Sequence, residues 1–205
     1  MRIGILGGTF DPVHAGHIFV AEEARLRLSL ERVLFIPAGN PWLKVDRTIS
    51  SARDRVEMVR LAIAKHEHFQ LCTVEVDRGG PSYTVDTVDE LRRKLGEQEF
   101  YLILGRDSFT ELPMWKEPER LMKLCQLVAF ARPGCQLLRM EALEAAIPGI
   151  TKRVVFVEVP QVDIRATDIR HRVAEGRSVQ RLVPRAVERY ILEHGLYRAA
   201  LRPST

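Results

Sequence analysis

Short, almost continuous apolar runs alternate along this chain with longer stretches in which apolar positions recur every three or four residues. Arg2–Leu6, Arg32–Pro37, Phe69–Val76, Phe100–Leu104, Gln126–Ala131 and Arg153–Val159 read as six strands. Their length and lack of strict alternation suit strands buried on both faces. Between them, Gly16–Leu28, Ser51–Lys65, Thr84–Leu95, Pro118–Leu124 and Leu137–Ile147 carry the helical period, with Val56, Val59 and Ile63 facing inward in the second. A loop, Ala38 to Ser50, follows the second strand. Two more helices, about Thr167–Glu175 and Pro184–His194, run into Gly176 and Gly195, which suit the left-handed residue after a helix. In this pair Ile169, Val173, Val187, Ile191 and Leu192 are expected to face inward. Strands alternating with helices predict an α/β fold built on a doubly wound parallel sheet. No repeat or linker interrupts residues 1–205, so the chain reads as one unit: an α/β core over about 1–163 and a small helical C-terminal appendage over 164–205.

Such sheets bind ligands beyond the carboxyl ends of their strands, near the switch in strand order. Gly7-Gly8, Pro37-Ala38-Gly39, Gly105-Arg106-Asp107 and Arg132-Pro133 all fall at such ends. The first is the most telling, because Gly-Gly-Thr-Phe-Asp-Pro-Val-His-Ala-Gly-His leads from a strand through a glycine turn into a helix. Backbone N–H groups and the helix dipole favour an anion there, and glycine lets the backbone approach without a Cβ clash. His14 and His17 add side-chain donors. Their spacing also fits two metal ligands on one helix face, or two solvated histidines; phosphate binding is preferred because no further Cys/His cluster supports zinc. The segment lacks the G-x-G-x-x-G of dinucleotide folds and the Gly-Lys-Ser/Thr of P-loops.

Composition narrows the picture only a little. A formal net charge of +4 suits an anionic small molecule as well as nucleic acid. Cys72, Cys125 and Cys135 are odd in number and unpaired in spacing, which predicts structural thiols in a reducing, cytoplasmic setting. The apolar stretch Ile3–Leu6 is too short for a signal peptide, and no run approaches the ~18 apolar residues of a membrane span.

The spelling of the opening segment resembles the nucleotidyltransferase superfamily that shares a His-x-Gly-His motif. Within it the chain is most similar to bacterial nicotinate mononucleotide adenylyltransferases. The resemblance continues through Pro37-Ala38-Gly39-Asn40-Pro41 and Lys44, Pro81 to Thr87, Gly105-Arg106-Asp107, Leu112, Trp115, Arg132-Pro133-Gly134 and Ile164 to Arg170. It implies a Rossmann-like fold and transfer of the adenylyl group of ATP to nicotinate mononucleotide, with Mg2+ as cofactor and deamido-NAD and pyrophosphate as products. The attacking phosphate is already anionic, so alignment and charge neutralisation suffice without a strong base.

Carried over by motif, His14 and His17 contact the ATP phosphates, with His17 at the α-phosphate and the backbone of Gly8, Thr9 and Phe10 as a cradle. Lys44 reaches phosphate from the loop after the second strand, unless it is a solvated loop lysine. Thr167, as an N-cap, and Arg170 complete the ATP side. For the mononucleotide, Thr84 presents donors to the pyridine carboxylate, Trp115 stacks on the ring, and Asp107 holds a ribose hydroxyl. Read without the resemblance, Thr84 and Asp107 are helix caps and Trp115 is packing. Two departures stand out. Pro41-Trp42-Leu43-Lys44 replaces the usual Pro-Pro-His-Lys, and Arg165-Ala166 replaces two serines before Thr167, so one hydroxyl contact is missing; Arg165 is expected to point to solvent.

Two other readings compete. One is another adenylyltransferase or cytidylyltransferase of the superfamily, acting on pantetheine phosphate or glycerol phosphate, against which the Ser82–Thr87 segment and the Asp107-to-Trp115 spacing argue. The other is a nucleic-acid-binding protein, suggested by arginines 165, 170, 172, 177, 181, 185 and 189 around two short helices. The inward apolar positions of those helices disfavour it. Small-molecule substrates without nucleic acid or membrane are therefore expected, with the oligomeric state, a homo-oligomer included, left open.

Overall fold

Six strands form one all-parallel sheet: β1 (Arg2–Gly8), β2 (Arg32–Pro37), β3 (Phe69–Leu71), β4 (Glu99–Leu104), β5 (Gln126–Ala131) and β6 (Val154–Glu158). Their spatial order is β3-β2-β1-β4-β5-β6, the doubly wound Rossmann-like order expected from the strand–helix alternation. The computed structural model describes residues 1–41, 49–131, 137–159 and 163–198, and of residues 106–107, 131 and 137–139 the backbone only. Between and after the strands lie α1 (Ala15–Leu28), α2 (Ala52–Ile63), α3 (Val74–Arg78), α4 (Thr84–Leu95), α5 (Arg106–Thr110), α6 (Pro118–Leu124), α7 (Leu137–Ala146), α8 (Ala166–Ala174) and α9 (Arg185–Glu193).

Alternate residues of each strand feed two separate apolar layers, as the period of two requires. Ile3 and Ile5 of β1, Leu34 and Ile36 of β2, and Phe100, Leu102 and Leu104 of β4 join Val85, Val88 and Leu91 of α4 and Leu121 of α6. Leu6, Val33, Phe35, Tyr101 and Ile103 point the other way, onto Ala21 and Ala24 of α1 and Met58, Val59 and Ala62 of α2. Ile169, Val173, Val187 and Ile191 are buried in that second layer too. The two C-terminal helices thus share the core of the sheet, which leaves little of them as a separate DNA-reading module. Leu192, expected inward, is 52% exposed. The stripe is set by Val187 and Ile191, four residues apart, and the next residue is turned about 100° out of it.

The third strand is shorter than its apolar run predicts. Phe69–Val76 reads as one strand, yet β3 stops at Leu71 and Val74–Arg78 is helical. The ladder itself supplies the reason. Val33 N–H bonds His68 O and Cys72 N–H bonds Phe35 O, so the odd residues of β2 face β3. The next rung falls to Pro37, which has no N–H to donate. Pairing ends there, and the buried Val74 and Glu75 pack as a helical turn instead. Among the described residues no helix is long and apolar enough to cross a membrane.

The turn of α3 lies tight against the loop after β2. A Cβ on Gly39 would stand 2.3 Å from the carbonyl oxygen of Glu75 and 2.9 Å from its carbon. Both are backbone atoms that no rotamer change moves aside. Gly39→Ala is therefore expected to destabilise the chain by about 1–3 kcal/mol through forced backbone displacement, measured by urea unfolding. A loss below a few tenths of a kcal/mol would show that the loop gives way without resistance.

Candidate active site

β1 lies between β2 and β4, so its carboxyl end opens onto the point where the strand order reverses. Beyond Gly8 the chain turns sharply. Phe10 takes a left-handed φ of 52° and buries its ring 5.9 Å from that of Phe35. A Cβ on Gly8 would sit 3.2 Å from the Phe10 ring, so the second glycine makes room for this wedge. Phe10 in turn meets the edge of His17, with ring centroids 4.9 Å apart. The Phe10 side chain is core, and only its backbone is left for the cradle expected of Gly8, Thr9 and Phe10.

The two histidines are set by the start of α1. His14 is its N-cap, in extended conformation, and His17 occupies the third helical position. His17 Nδ1 accepts a 3.1 Å hydrogen bond from the His14 N–H, satisfying a donor that helix geometry leaves over. Acceptance through Nδ1 places the His17 proton on Nε2, fixing the tautomer. The two rings stack at 3.7 Å. His14 is 8% exposed, and its Nδ1 has no hydrogen-bond partner among the described residues. Burial holds the His14 imidazole down at about 4, so it is neutral at physiological pH. No group of three His, Cys, Asp or Glu side chains among the described residues is arranged to hold a metal ion. The two imidazoles stand stacked at the start of α1, His17 oriented by the His14 N–H.

Behind these loops lies a residue that motif reading missed. Arg55, on α2, is 2% exposed. Its Nη1 donates to the carbonyls of Thr9 (3.0 Å) and Ala38 (2.6 Å), Nη2 to Gly39 (3.2 Å) and Nε to Ser50 (3.1 Å). One guanidinium thus ties the loop after β1 to the loop after β2, using the planar fork that lysine lacks. No carboxylate pairs with it directly among the described residues. Desolvation pulls its pKa down, and the carboxylates of Asp11 and Glu75 oppose that. The sequence did carry a signal: Arg55, Met58, Val59, Ala62 and Ile63 form one helical stripe. Val56, expected inward, is only half-buried.

A second network fixes the segment 81–87. Ser82 Oγ accepts from the N–H groups of Gly39 (2.9 Å) and Asn40 (3.1 Å), and Ser82 N–H bonds Asn40 O. The buried Glu75 carboxyl takes a 2.8 Å bond from Thr87 Oγ1, and Arg78 donates to the same hydroxyl. Thr84 is the first helical residue of α4, with Tyr83 rather than Thr84 at the N-cap. Lys116 pairs with Asp86 at 3.0 Å and lies over the Tyr83 ring, which brings the Trp115 loop against the start of α4. Trp115 is half-buried against the α4 layer, and its indole N–H has no partner among the described residues.

The third group comes from α8. Arg165 is the N-cap, so Thr167 is the second residue of the helix, contrary to its expected capping role. Arg170 Nη1 donates to Asp11 O at 2.7 Å, and Nη2 lies 3.4 Å from Thr167 Oγ1. The structure therefore brings Thr167 and Arg170 to the opening motif. Arg165 itself is exposed, 3.6 Å from Asp163, as expected. Asp107 falls in the first turn of α5, at the end of β4, with its backbone alone described. Lys44, Leu43, Arg132-Pro133-Gly134 and Cys135 lie outside the described residues. Cys125 is buried, its thiol pushed up to about 12, and the thiol of the half-buried Cys72 is also raised by burial, so both are unreactive packing groups.

The matches to known proteins agree with this architecture. Residues 5–172 match the model of the cytidylyltransferase-like family. The chain is 48% identical over 198 residues to a probable nicotinate-nucleotide adenylyltransferase of Thermus thermophilus, covering 97% of this chain and all of that one. It is 44% identical over 198 residues to a protein of the same name from Dehalococcoides mccartyi, covering 96% and 97%. In fold it is similar to the nicotinic acid mononucleotide adenylyltransferase of Plasmodium falciparum solved with NaAD, with a TM-score of 0.78 and 17% identity over 98% of this chain and 99% of that one.

The neutrality of His14 has a measurable consequence. Between its ordinary value of 6.5 and about 4, the unfolded chain binds a proton that the folded chain does not. Stability from this group is therefore full above pH 6.5 and lost as pH falls toward 4, on the order of 3 kcal/mol in all. The Glu75 carboxyl, raised by burial, contributes the opposite slope, so a variant comparison isolates His14. In denaturant unfolding across pH 4–7, stability should rise less with pH in His14→Asn than in wild type. Parallel curves would show that His14 charges in place.

Proposed function

The chain belongs to the cytidylyltransferase-like family and, within it, to the nicotinate-nucleotide adenylyltransferases, and from that premise we propose that it transfers the adenylyl group of ATP to nicotinate mononucleotide. A phosphate oxygen of the mononucleotide attacks the α-phosphorus. The bond from that phosphorus to the bridging oxygen breaks, and pyrophosphate leaves with the electron pair opposite the incoming oxygen. Deamido-NAD is the other product. The observation that carries this reading is the histidine pair: two oriented imidazoles on a helix N-terminus at the sheet's switch point, one with a buried ring nitrogen still unpartnered.

Each residue then has a task that its surroundings suit. His17, with its proton on Nε2, donates to the α-phosphate as charge redistributes there. Neutral His14, stacked on His17, is the second imidazole at the phosphates. The backbone of Gly8, Thr9 and Phe10, Lys44, Thr167 and Arg170 hold the triphosphate. Thr84 faces the pyridine carboxylate, Trp115 the pyridine ring and Asp107 a ribose hydroxyl. Mg2+ travels on the ATP phosphates; such an ion keeps most of its ligands from phosphate and water and needs no all-protein cage. Its chemistry is charge neutralisation of the leaving pyrophosphate.

The deciding experiment offers the purified protein ATP and Mg2+ with nicotinate mononucleotide, its amide counterpart or pantetheine phosphate, and identifies products by mass. Deamido-NAD as the main product is expected; dephospho-coenzyme A would move the chain to the sister branch, and no product from any acceptor would sink the reading. His17→Ala should lower kcat by about 10²–10³, a far larger effect than the roughly 1 kcal/mol of stability lost with its bond to the His14 N–H. Trp115→Ala should raise KM for nicotinate mononucleotide more than KM for ATP. It should also lower the melting temperature, because the indole packs on the α4 layer. An unchanged mononucleotide KM would remove Trp115 from the site.

A further inference from the structure

Asp11 sits between the glycine turn and the histidine pair, and it is buried, at 5% exposure. A carboxylate there needs donors. They arrive from far along the chain. Tyr197 Oη donates to Oδ1 at 2.6 Å, and the Ser50 N–H lies 3.4 Å from Oδ2. The carbonyl oxygen of the same residue accepts the 2.7 Å bond from Arg170 Nη1. Asp11 is thus held by its side chain from the turn after α9 and itself holds, by its backbone, an arginine assigned to the triphosphate.

The tyrosine is shaped for this contact. After α9 the chain reverses through Gly195 and Tyr197, both with φ of 62°, and Leu196 N–H bonds back to Ile191 O. A left-handed conformation is strained for a tyrosine, so the surroundings must hold it there. Its hydroxyl lies 3.9 Å from Met58 Sδ, between the second apolar layer and Asp11. Burial and the neighbouring carboxylate keep the phenol protonated, hence always a donor. Tyr197 also lies outside residues 5–172, the stretch matched by the family model.

We propose that Tyr197 is a positioning residue for ATP: its hydroxyl fixes Asp11, whose carbonyl aims the Arg170 guanidinium at the triphosphate. The inference rests on the adenylyltransfer reading for the role of Arg170. It makes the turn after α9 part of the nucleotide site without touching the nucleotide. Coupling of this kind is reciprocal, so ATP must also steady that turn.

Tyr197→Phe removes the hydroxyl alone. KM for ATP should rise about tenfold, with kcat changed less than threefold and KM for nicotinate mononucleotide unchanged. Arg170→Gln should raise KM for ATP as well, and the double variant should be no worse than Arg170→Gln, because the tyrosine acts through the arginine. A merely structural role would lower the melting temperature and leave the ATP-to-mononucleotide split untouched. ATP KM within twofold of wild type in Tyr197→Phe, or effects that multiply in the double variant, would overturn the proposal. Should Tyr197→Phe fold poorly, amide exchange on the wild-type chain decides instead. The Leu196 N–H should exchange several-fold more slowly with Mg-ATP than without, and an unchanged rate would overturn the proposal. Wild-type product analysis separates the two claims, since ATP-dependent protection with no deamido-NAD would fail the reaction and keep the coupling.

Discussion

The site hangs on one buried cation. Arg55 bonds four backbone carbonyls from residues 9, 38, 39 and 50. Desolvating a guanidinium is expensive unless its donors are all met, and removing one member of such an arrangement typically costs several kcal/mol. Lodged at the N-terminal end of α2, it also opposes that helix's own dipole. The carbonyls it occupies are turned inward by the bond. Residues 9, 38, 39 and 50, at the edge where parallel strands deliver two loops, are thereby joined into a single rim.

From that rim the rest follows in order. The Ala38–Asn40 backbone, gripped by Arg55 on its carbonyls, offers two N–H groups to Ser82, and so the segment entering α4 is placed by the same cation at one remove. The approach is close enough that residue 39 has no room for a side chain. On the other flank, Phe10 wedges His17 and closes the turn that Arg55 holds at Thr9. The histidines are therefore rigid because their neighbours are, and oriented donors that need no rearrangement are what an electrostatic mechanism requires.

Much of this was legible in the chain. Six apolar runs gave six strands in a parallel sheet, and the histidine pair was found at the strand–turn–helix junction from residue types alone. The exceptions have physical causes. Phe69–Val76 splits because Pro37, on the neighbouring strand, cannot donate the next rung, and that depends on which face pairs with which edge. Thr84 and Thr167 sit just inside their helices; Tyr83 and Arg165 take the N-cap positions with no side-chain bond to the helix end, which no capping preference favours. Arg55 and Glu75 stood in view as charged residues in apolar stripes, but their donors and acceptors are backbone atoms and hydroxyls that a pattern of side-chain types does not display. The tie from Asp11 to Tyr197 crosses 186 positions, beyond the reach of any local motif.

That separation bears on how the protein is made. The glycine turn, the wedge and both histidines are present once the first strand and helix exist, yet the aspartate between them meets an arginine at its backbone carbonyl 159 positions later and a tyrosine at its carboxylate later still. The entropy of closing such long loops grows only slowly with length, so distance itself is a small obstacle. Order of arrival is the larger one. A chain still being synthesised lacks the hydroxyl that meets the Asp11 carboxylate in the finished fold, so burying that group in the native turn is disfavoured until the reversal after α9 has emerged. Nucleotide can reward the finished fold but cannot template its early half.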